Sequence, residues 1–535
     1  MHPRLAVLAA VLAAASLEAG ADDGVRAQAT RHLRATSTHN VPDALVLFDP
    51  VRSTFDSESY LQPDGSGRYG SAFASVRLEG TLLHRDLRWV LAADTGELRR
   101  QAFPQPMDVC LVTALRSRTG LTTGSGCRAT SPVVQLDSTT LGSPRVTSNG
   151  RPLRVEVQDT LLVREAYAAY SFGRAGFATL RAGRKRMSIG DGFIHDDYST
   201  GVELDLDLGA IGPRWDLSFG VYLPGRDFPS TASGVSPVAV VRADFLPSLF
   251  ERAGVFVAGL RDRSGSVAEL VRSSVVEWGV GNLSRAFGTP AETAAGRLLA
   301  QALSAPLESD ASIGWVGTSG DLAPFRGQRL GWTLAIEAGT LHHLTSTGAG
   351  GTSIWDEDVP LRGRLASLRW DADLGERVTA GAFLLYLSGG LPPVRGPRGK
   401  ELPGRGGSYD AFLGITPFVT TTNLFFGGGL SETFAARQVS APGVNGRGVV
   451  APGVSLSVDP LKQVSVLGKA AWLRSDVTGP FGGKIYGTEA DLAVTWGPSA
   501  WLLFGVELDV LWPGDFYPSR DTVYKTVLAV DLFTP

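Results

Sequence analysis

The sequence predicts an all-β fold, namely a transmembrane antiparallel β-barrel of about 18 strands (range about 18–20) with long extracellular loops. Three observations lead to this prediction. Runs of roughly ten residues alternate between apolar and polar side chains, as in strands with one apolar face. The N-terminus has the features of an export signal, and no later apolar segment is long enough for a transmembrane helix. Short and long connections between the predicted strands also alternate along the chain.

The alternation is clearest near the C-terminus, in segments 485–496, 502–512 and 524–532. Every second position there is mainly apolar, and because successive strand side chains point to opposite faces, these residues form an outer face. Tyr486 shares their parity, so we expect its ring on that outer face. The opposite positions hold charged side chains, which are Glu489, Asp491, Glu507, Asp509, Lys525 and Asp531. Each segment is therefore predicted to be a barrel strand with a charged inner face.

The connections between strands fall into two lengths. Short ones are predicted at 84–86, 173–175, 210–211, 247–253, 320–327, 374–376, 416–418, 459–461 and 497–500. The long ones lie between them, which is the asymmetry of a barrel with tight periplasmic turns and long outer loops. Aromatic residues flank several short turns, among them Trp496 and Trp501, and fit an interfacial girdle.

The first 21 residues predict a cleavable signal peptide, because Arg4 precedes an apolar stretch at 5–17 and small residues follow at 19–21. Residues 22–70 are predicted to form either an N-terminal periplasmic segment or a first strand, with an apolar patch at 44–48. Residues 71–535 are predicted to form the barrel. Since only helices and closed barrels span a bilayer, an exported barrel is expected in the outer membrane of a Gram-negative bacterium.

The composition argues against several classes of function. A net charge of −3 with 19% charged residues gives no polyanion-binding signal, so no nucleic-acid partner is expected. The chain contains no nucleophile elbow, zinc-protease motif or phosphate-binding loop, so we predict neither an enzyme nor a cofactor. Cys110 and Cys127 are the only cysteines, and in an oxidising compartment we expect them to form a disulfide.

Three loop segments could carry binding or gating roles. The cluster Asp191, His195, Asp196 and Asp197 could bind Ca²⁺ through oxygen ligands or form an ordinary solvated loop, and we commit to no metal site there. Segment 290–303 has a capping box with proline at the first helical position, which predicts a short helix. That helix would either pack on the inner wall or narrow the pore. The basic loop 392–405 could contact lipopolysaccharide phosphates or be an ordinary soluble loop.

Three short motifs resemble the alginate-export-type family of outer-membrane porins. They are Arg164-Glu165-Ala166-Tyr167, Leu180-Arg181-Ala182-Gly183-Arg184 and Gly190-Asp191-Gly192, and with their surroundings they cover about a tenth of the chain. The resemblance implies a monomeric barrel of about 18 strands that passes polar or charged solutes. Exporters of that family have basic lumens, whereas the inward strand faces here are acidic. Arg164 and Glu165 are adjacent and cannot both point inward.

The alternation also predicts which charged residues line the lumen. The pore-lining candidates are Arg181, Glu203, Asp205, Asp207, Arg214, Asp216, Glu337, Arg369, Asp371, Lys469, Glu489, Asp491, Glu507 and Asp509. A charge facing lipid at mid-depth costs about 2–4 kcal/mol, so confinement to one parity supports a barrel. Acids outnumber bases in this set, which predicts a weakly cation-preferring pore. A two-residue turn at 210–211 would place Asp205 opposite Asp216, with Arg181 or a mobile cation between them.

Two functions follow from these predictions. The first is an outer-membrane porin-like channel for small or oligomeric polar or charged solutes, without cofactor, with membrane lipid and lipopolysaccharide as surroundings. The alternative is a non-conducting barrel that acts as an adhesin or structural anchor through its loops. Single-channel conductance distinguishes the two.

Overall fold

The computed structural model describes most of the predicted barrel. The described residues are 25–39, 67–82, 86–98, 147–148, 151–152, 158–159, 162–173, 177–210, 214–224, 236–248, 251–263, 265, 267–268, 271, 310–342, 358–390, 407–415, 421–426, 430, 443, 446–479, 482–517 and 520–533. Several predictions concern residues outside these ranges: the signal peptide, the patch at 44–48, the cysteine pair, the helix at 290–303 and the loop 392–405.

Almost all of the described regular structure is β-strand. The strands are β1 (Val25–His39), β2 (Gly67–Leu82), β3 (Leu87–Leu98), β4 (Thr147–Ser148), β5 (Arg151–Pro152), β6 (Gln158–Asp159), β7 (Leu162–Phe172), β8 (Ala178–Ile189), β9 (His195–Asp207), β10 (Trp215–Leu223), β11 (Val238–Ser248), β12 (Glu251–Asp262), β13 (Asp310–Leu322), β14 (Gln328–His342), β15 (Val359–Asp373), β16 (Val378–Leu387), β17 (Val449–Leu461), β18 (Val464–Arg474), β19 (Ile485–Ser499), β20 (Leu502–Pro513) and β21 (Val523–Phe533). The described part contains no helix long and apolar enough to cross a membrane.

The strand pairing returns to its starting point. Each wall strand pairs antiparallel with the next, through β1, β2, β3 and then β7 to β21. β21 then pairs with β1, with Thr30 opposite Phe533. In the described chain the wall therefore has 3 + 15 = 18 strands, which agrees with the predicted antiparallel barrel. Closure leaves no unpaired edge, which a sheet inside lipid could not tolerate.

The outer face of the wall is mainly apolar. Exposed fractions reach 56% at Val221, 64% at Ile336 and 54% at Leu528. In water, such a continuous apolar surface would favour aggregation, whereas in a bilayer it contacts hydrocarbon. Aromatic side chains stand at the short-turn end of this belt, where the Trp215 and Phe245 rings are 5.2 Å apart and the Trp496 and Phe504 rings 5.4 Å apart.

Most of the short connections lie at or close to their predicted positions. Two lie slightly later than predicted, at 462–463 and 500–501, because the strands run on past the predicted turns. Residues 416–418, predicted as a short turn, lie outside the described residues, but the described segments on both sides of them form no strand. Among the described residues of 388–448 no strand occurs, so the structure shows one connection between β16 and β17 where two long loops and a short turn were predicted. The apolar alternation there reflects burial inside the barrel, which is described below.

The prediction that Tyr486 faces outward is wrong. Its side chain is fully buried, while Ile485 is exposed. The register between β18 and β19 shifts at this point, and Gly487 adopts a φ of +146°, a conformation that favours glycine. This β-bulge inverts the parity of the residues before it, so the Tyr486 ring turns inward.

The predicted facing of Asp205 and Asp216 is also wrong. In the structure, Asp216 is opposite Asp207, and Asp205 is opposite Ser218. A 3-10 turn at Leu208–Ala210 lengthens the connection, and Asp207 Oδ1 accepts a hydrogen bond from the Gly209 N–H at 2.8 Å. The register therefore moves by two residues. Because the shift is even, every side chain keeps its predicted face.

Candidate functional site in the barrel lumen

Part of the connection between β16 and β17 lies inside the barrel. We call residues 407–415, 421–426 and 430 the inserted segment. Leu413, Leu424 and Phe425 are buried in the lumen against the inner wall. Main-chain N–H groups of a segment without regular structure need hydrogen-bond acceptors when they are buried. In this barrel, carboxylates of the inner wall supply the acceptors.

The first half of the inserted segment is held by β13, β14 and β15. Glu337 accepts a hydrogen bond from the Leu413 N–H at 2.6 Å, and Trp315 Nε1 donates to the Leu413 carbonyl oxygen at 2.9 Å. Gly363 permits this close approach, since a Cβ there would lie 2.7 Å from Phe412 Cα. Glu337 was predicted to line the pore. Its side chain does point inward, but the inserted segment covers it.

The second half is held by acids of β19 and β20. Glu489 accepts from the N–H groups of Leu424 at 2.5 Å and Phe425 at 2.9 Å. Asp491 accepts from the Asn423 N–H at 3.0 Å, and Glu507 accepts from the Leu430 N–H. All three acids are buried. Two carboxylate oxygens on one side chain can satisfy two adjacent N–H groups, which explains why a glutamate suits position 489.

A buried lysine compensates part of this negative charge. Lys525 Nζ lies 2.9 Å from Glu507 Oε1 and 3.0 Å from Asp509 Oδ2, and it donates to the Asn423 carbonyl oxygen at 2.9 Å. The side chains of Lys525, Glu507 and Asp509 are 0% exposed. Lys469 Nζ contacts Asn423 Oδ1 at 3.4 Å from β18. Asn423 is therefore the point where the inserted segment meets both wall lysines.

Aromatic packing supports the same half of the segment. The Tyr486 ring lies 4.8 Å from Phe425 and 4.5 Å from Phe516, measured between ring centroids. The Tyr486 hydroxyl donates to the Gly448 carbonyl oxygen at 3.0 Å. The bulge at Gly487 thus places an aromatic side chain where the inserted segment needs an apolar contact.

The tip of the β8–β9 hairpin, residues 190–194, also reaches inward. The Ile194 carbonyl oxygen accepts a hydrogen bond from the Ile415 N–H at 2.5 Å. Asp191 contacts Arg252 at 2.6 Å and accepts from the Thr333 hydroxyl at 2.7 Å, so the tip is held against β12 and β14. The hairpin tip and the inserted segment together form a bar across the lumen.

The acids considered for Ca²⁺ do not converge on one point. Asp191 contacts Arg252 and Thr333, whereas Asp196 forms a two-point ion pair with Arg186 at 2.7 Å. His195 Nε2 lies 2.9 Å from the Ser199 hydroxyl, buried beneath the bar. Within the described ranges, no group of three or more His, Cys, Asp or Glu side chains is arranged to hold a metal ion.

The wall from β7 to β12 carries charges that pair with each other instead. Arg181 contacts Glu203 at 3.0 Å and also Asp205, while Lys185 contacts Glu203. The Arg181 side chain is 34% exposed and that of Glu203 is 14% exposed, so these pairs border open lumen. Arg181 therefore lies between Glu203 and Asp205, and not between Asp205 and Asp216 as the sequence suggested.

Further charged pairs on this wall were missed in the sequence. Arg242 pairs with Asp244 on β11, and Arg77 pairs with Glu165 across β2 and β7. The alternation of Arg242 and Asp244 with apolar residues could have identified them. The adjacent Arg164 lies over the Tyr198 ring, 6.0 Å from its centroid, on the outer side. Arg164 and Glu165 thus take opposite faces.

Near the short-turn end, Asp207, Asp216 and Asp244 stand side by side on β9, β10 and β11. Asp244 contacts Arg242, whereas no ion pair of the described residues involves Asp207 or Asp216.

Two further predicted pore-lining arginines have partners elsewhere. On the other side of the barrel, Arg369 contacts Asp371 at 2.9 Å and Asp321 at 3.3 Å. Arg214 lies in the connection after β9, not on a strand, and donates to the Pro247 carbonyl oxygen at 3.0 Å. The prediction that Arg214 belongs to the strand wall is therefore wrong.

Comparisons with known proteins give likenesses of fold only. No protein-family model matches the chain, so the resemblance to the alginate-export-type family stays a prediction. No curated protein matches it. OccK8 (OprE) of Pseudomonas aeruginosa is 10% identical, covers 96% of this chain and 98% of its own, and has a TM-score of 0.46. A BenF-like porin from Pseudomonas fluorescens Pf-5 is 9% identical, with 95% and 98% covered and a TM-score of 0.46. OpdK of Pseudomonas aeruginosa, solved with vanillate, is 10% identical, with 95% and 98% covered and a TM-score of 0.43.

Proposed function

We propose that this chain is a bacterial outer-membrane channel that passes small polar or charged solutes through a lumen narrowed by the inserted segment. The proposal rests mainly on one observation: the inner wall is charged and partly solvent-exposed along β7 to β12, opposite a wall that the inserted segment covers. Charged side chains beside a water-filled path determine which solutes pass, so this exposed, charged side of the lumen supports a channel. The narrowed lumen favours small solutes over oligomers.

We further propose export through the signal peptide at residues 1–21 and a monomeric state. Membership of the alginate-export-type family remains a finer proposal that rests on the motifs at 164–167, 180–184 and 190–192. Transport is passive in this proposal and needs neither a cofactor nor catalysis.

The ion preference follows from which acids face open lumen. Glu337, Glu489, Asp491, Glu507 and Asp509 are buried against the inserted segment, so their charges contribute little to the solvent-filled path. At mid-height on the opposite wall, cations and acids pair closely. Asp207 and Asp216 remain at the short-turn mouth. We therefore expect a cation preference that is weak and arises at that mouth.

The experiment is a planar-bilayer recording of the purified, folded protein. Discrete conductance steps support the channel, and a reversal potential across a salt gradient reports the ion preference. Outer-membrane fractionation and a change of gel mobility on boiling test the location and the barrel. A folded protein that never conducts would contradict the channel.

The non-conducting barrel is the second candidate, and the inserted segment is the observation in its favour. Wall acids, a buried lysine and aromatic side chains hold that segment, and such a bar could close the lumen. If wild-type protein is silent in the bilayer while a variant with a loosened segment conducts, the wild type is a closed barrel.

A further inference from the structure

The lipid-facing surface of the barrel is not uniformly apolar. Exposed arginines face outward at the long-loop ends of several strands: Arg186 on β8, Arg261 on β12, and Arg362 and Arg364 on β15. In the short-turn halves of the described strands, arginines such as Arg181, Arg252 and Arg369 take the inward-facing positions. The outward arginines therefore distinguish one rim of the barrel from the other.

These outward arginines differ in their partners. Arg186 forms a two-point ion pair with Asp196, and Arg261 lies 3.6 Å from Asp310. In the described part of the chain, no ion pair involves Arg362 or Arg364. Among the described residues, two guanidinium groups without an ion-pair partner thus lie on one face of one strand. Alternate residues of a strand are about 7 Å apart, so both can approach the same anionic group or two neighbouring ones.

The side chains on either side of this arginine pair establish its orientation. Leu361 and Leu365 are buried inside the barrel, so Arg362 and Arg364 point outward. Farther down the same outer face come Leu368 and Trp370, both exposed to the surroundings of the barrel. Ile336, directly opposite Arg364 on β14, is also exposed. The arginines therefore border the apolar belt.

The height of the pair matches the upper interface of the membrane. Arg362 precedes Trp370 by 370 − 362 = 8 residues, and Phe504 precedes Trp512 by 512 − 504 = 8 residues on β20. Trp370 and Phe504 both lie near the short-turn end, so Arg362 stands level with the aromatic rim at the long-loop end. Arg364 lies two residues farther along the same face of β15, closer to the middle of the apolar belt. An uncompensated charge at that depth is unfavourable unless it reaches water or an anionic group.

We propose that Arg362 and Arg364 form a binding site for the phosphate groups of lipopolysaccharide in the leaflet around the long-loop end. The proposal rests on the outer-membrane location proposed above. Arginine suits this role because its planar guanidinium group binds phosphate through two parallel hydrogen bonds. A bound phosphate group would also supply negative charge beside two side chains that form no ion pair with the described residues.

The test compares two double variants in detergent micelles. R362Q/R364Q removes the pair, and the matched control R186Q/R261Q removes two outward arginines that already have aspartate partners. The probes are lipopolysaccharide, the same lipopolysaccharide after removal of its phosphates, and phosphatidylglycerol, each titrated with native mass spectrometry as the readout. Circular dichroism and heat-modifiable gel mobility establish that each variant is folded.

We expect wild type to bind the phosphorylated lipopolysaccharide more tightly than the dephosphorylated form. R362Q/R364Q should lose this preference, with affinity reduced about tenfold, whereas the control should change by less than about threefold. Equal binding of both forms by wild type, or equal loss in both variants, would overturn the site. Equal binding of phosphatidylglycerol would overturn the choice of lipid. If the double variant does not fold, R362Q and R364Q are measured singly, and an unchanged preference in both would reject the site.

Channel recordings separate this proposal from the proposed function. In bilayers of neutral lipid, R362Q/R364Q should conduct as wild type does, since neither side chain faces the lumen. A silent wild-type protein that retains phosphate-dependent binding would end the channel proposal and leave the lipid site intact.

Discussion

Two regions of the inner wall have the same sequence pattern but different surroundings. On β19 and β20, inward acids are completely buried and bind the main chain of the inserted segment. On β9, the inward acids Glu203 and Asp205 pair with Arg181 and Lys185 of β8 and keep contact with solvent. The alternation of a strand therefore predicts only that its acidic side chains point inward. Whether it fills the barrel or borders the solute path depends on what folds over it.

The largest expected difference between the two regions concerns Lys525. Lys525→Met leaves Glu507 and Asp509 buried without their cation, so we expect the free energy of unfolding to fall by about 3–5 kcal/mol. Arg181→Met, the control on the exposed wall, should cost about 1 kcal/mol or less because solvent screens its partners. Urea titration of both variants in lipid vesicles measures the difference. Equal losses of unfolding free energy in the two variants would contradict the expected difference between the buried and the exposed ion pairs.

A smaller effect is expected from Glu489→Gln. Glutamine has one acceptor oxygen where glutamate has two, so one of the Leu424 and Phe425 N–H groups loses its acceptor. The cost should be about 1–3 kcal/mol, concentrated on the inserted segment. We expect larger or more frequent conductance steps and faster protease cleavage within the connection 388–448.

The matched control for this change is Glu203→Gln, which alters a paired acid that contacts no residue of the inserted segment. Cleavage and conductance steps that respond equally to both substitutions would contradict a specific role of Glu489 in holding the segment.

The smallest effect on stability is expected at the short-turn mouth. Asp207→Asn with Asp216→Asn relieves repulsion between two directly opposed carboxylates, so stability should change by less than about 1 kcal/mol. The reversal potential across a salt gradient should nevertheless shift away from cation preference. Glu489→Gln provides the comparison, since it removes a buried acid. A shift in Glu489→Gln but not in the double variant would place the selective charges beneath the inserted segment.

Local rules account for much of the wall. Strand side chains alternate with a period of two, and lipid excludes charge from one face, so an uninterrupted strand reveals its orientation in its residues. The inward direction of Glu337, Glu489 and Asp509 followed from this reasoning alone. The same reasoning failed at Tyr486, because a single bulge at Gly487 inverts the count. It also predicted the wrong partner for Asp207, because the alternation does not reveal that a 3-10 turn lengthens the connection after that strand.

The sequence by itself predicted the barrel, its two faces and a range of about 18–20 strands, because lipid on one side and backbone pairing on the other leave few solutions. Only the tertiary structure decided which inward acids are open to solutes. The apolar alternation of the inserted segment does not distinguish it from a wall strand, and its N–H groups find their acceptors on strands up to 77 residues away in the chain. Such contacts depend on which distant parts of the backbone come together, and a local sequence pattern does not predict this.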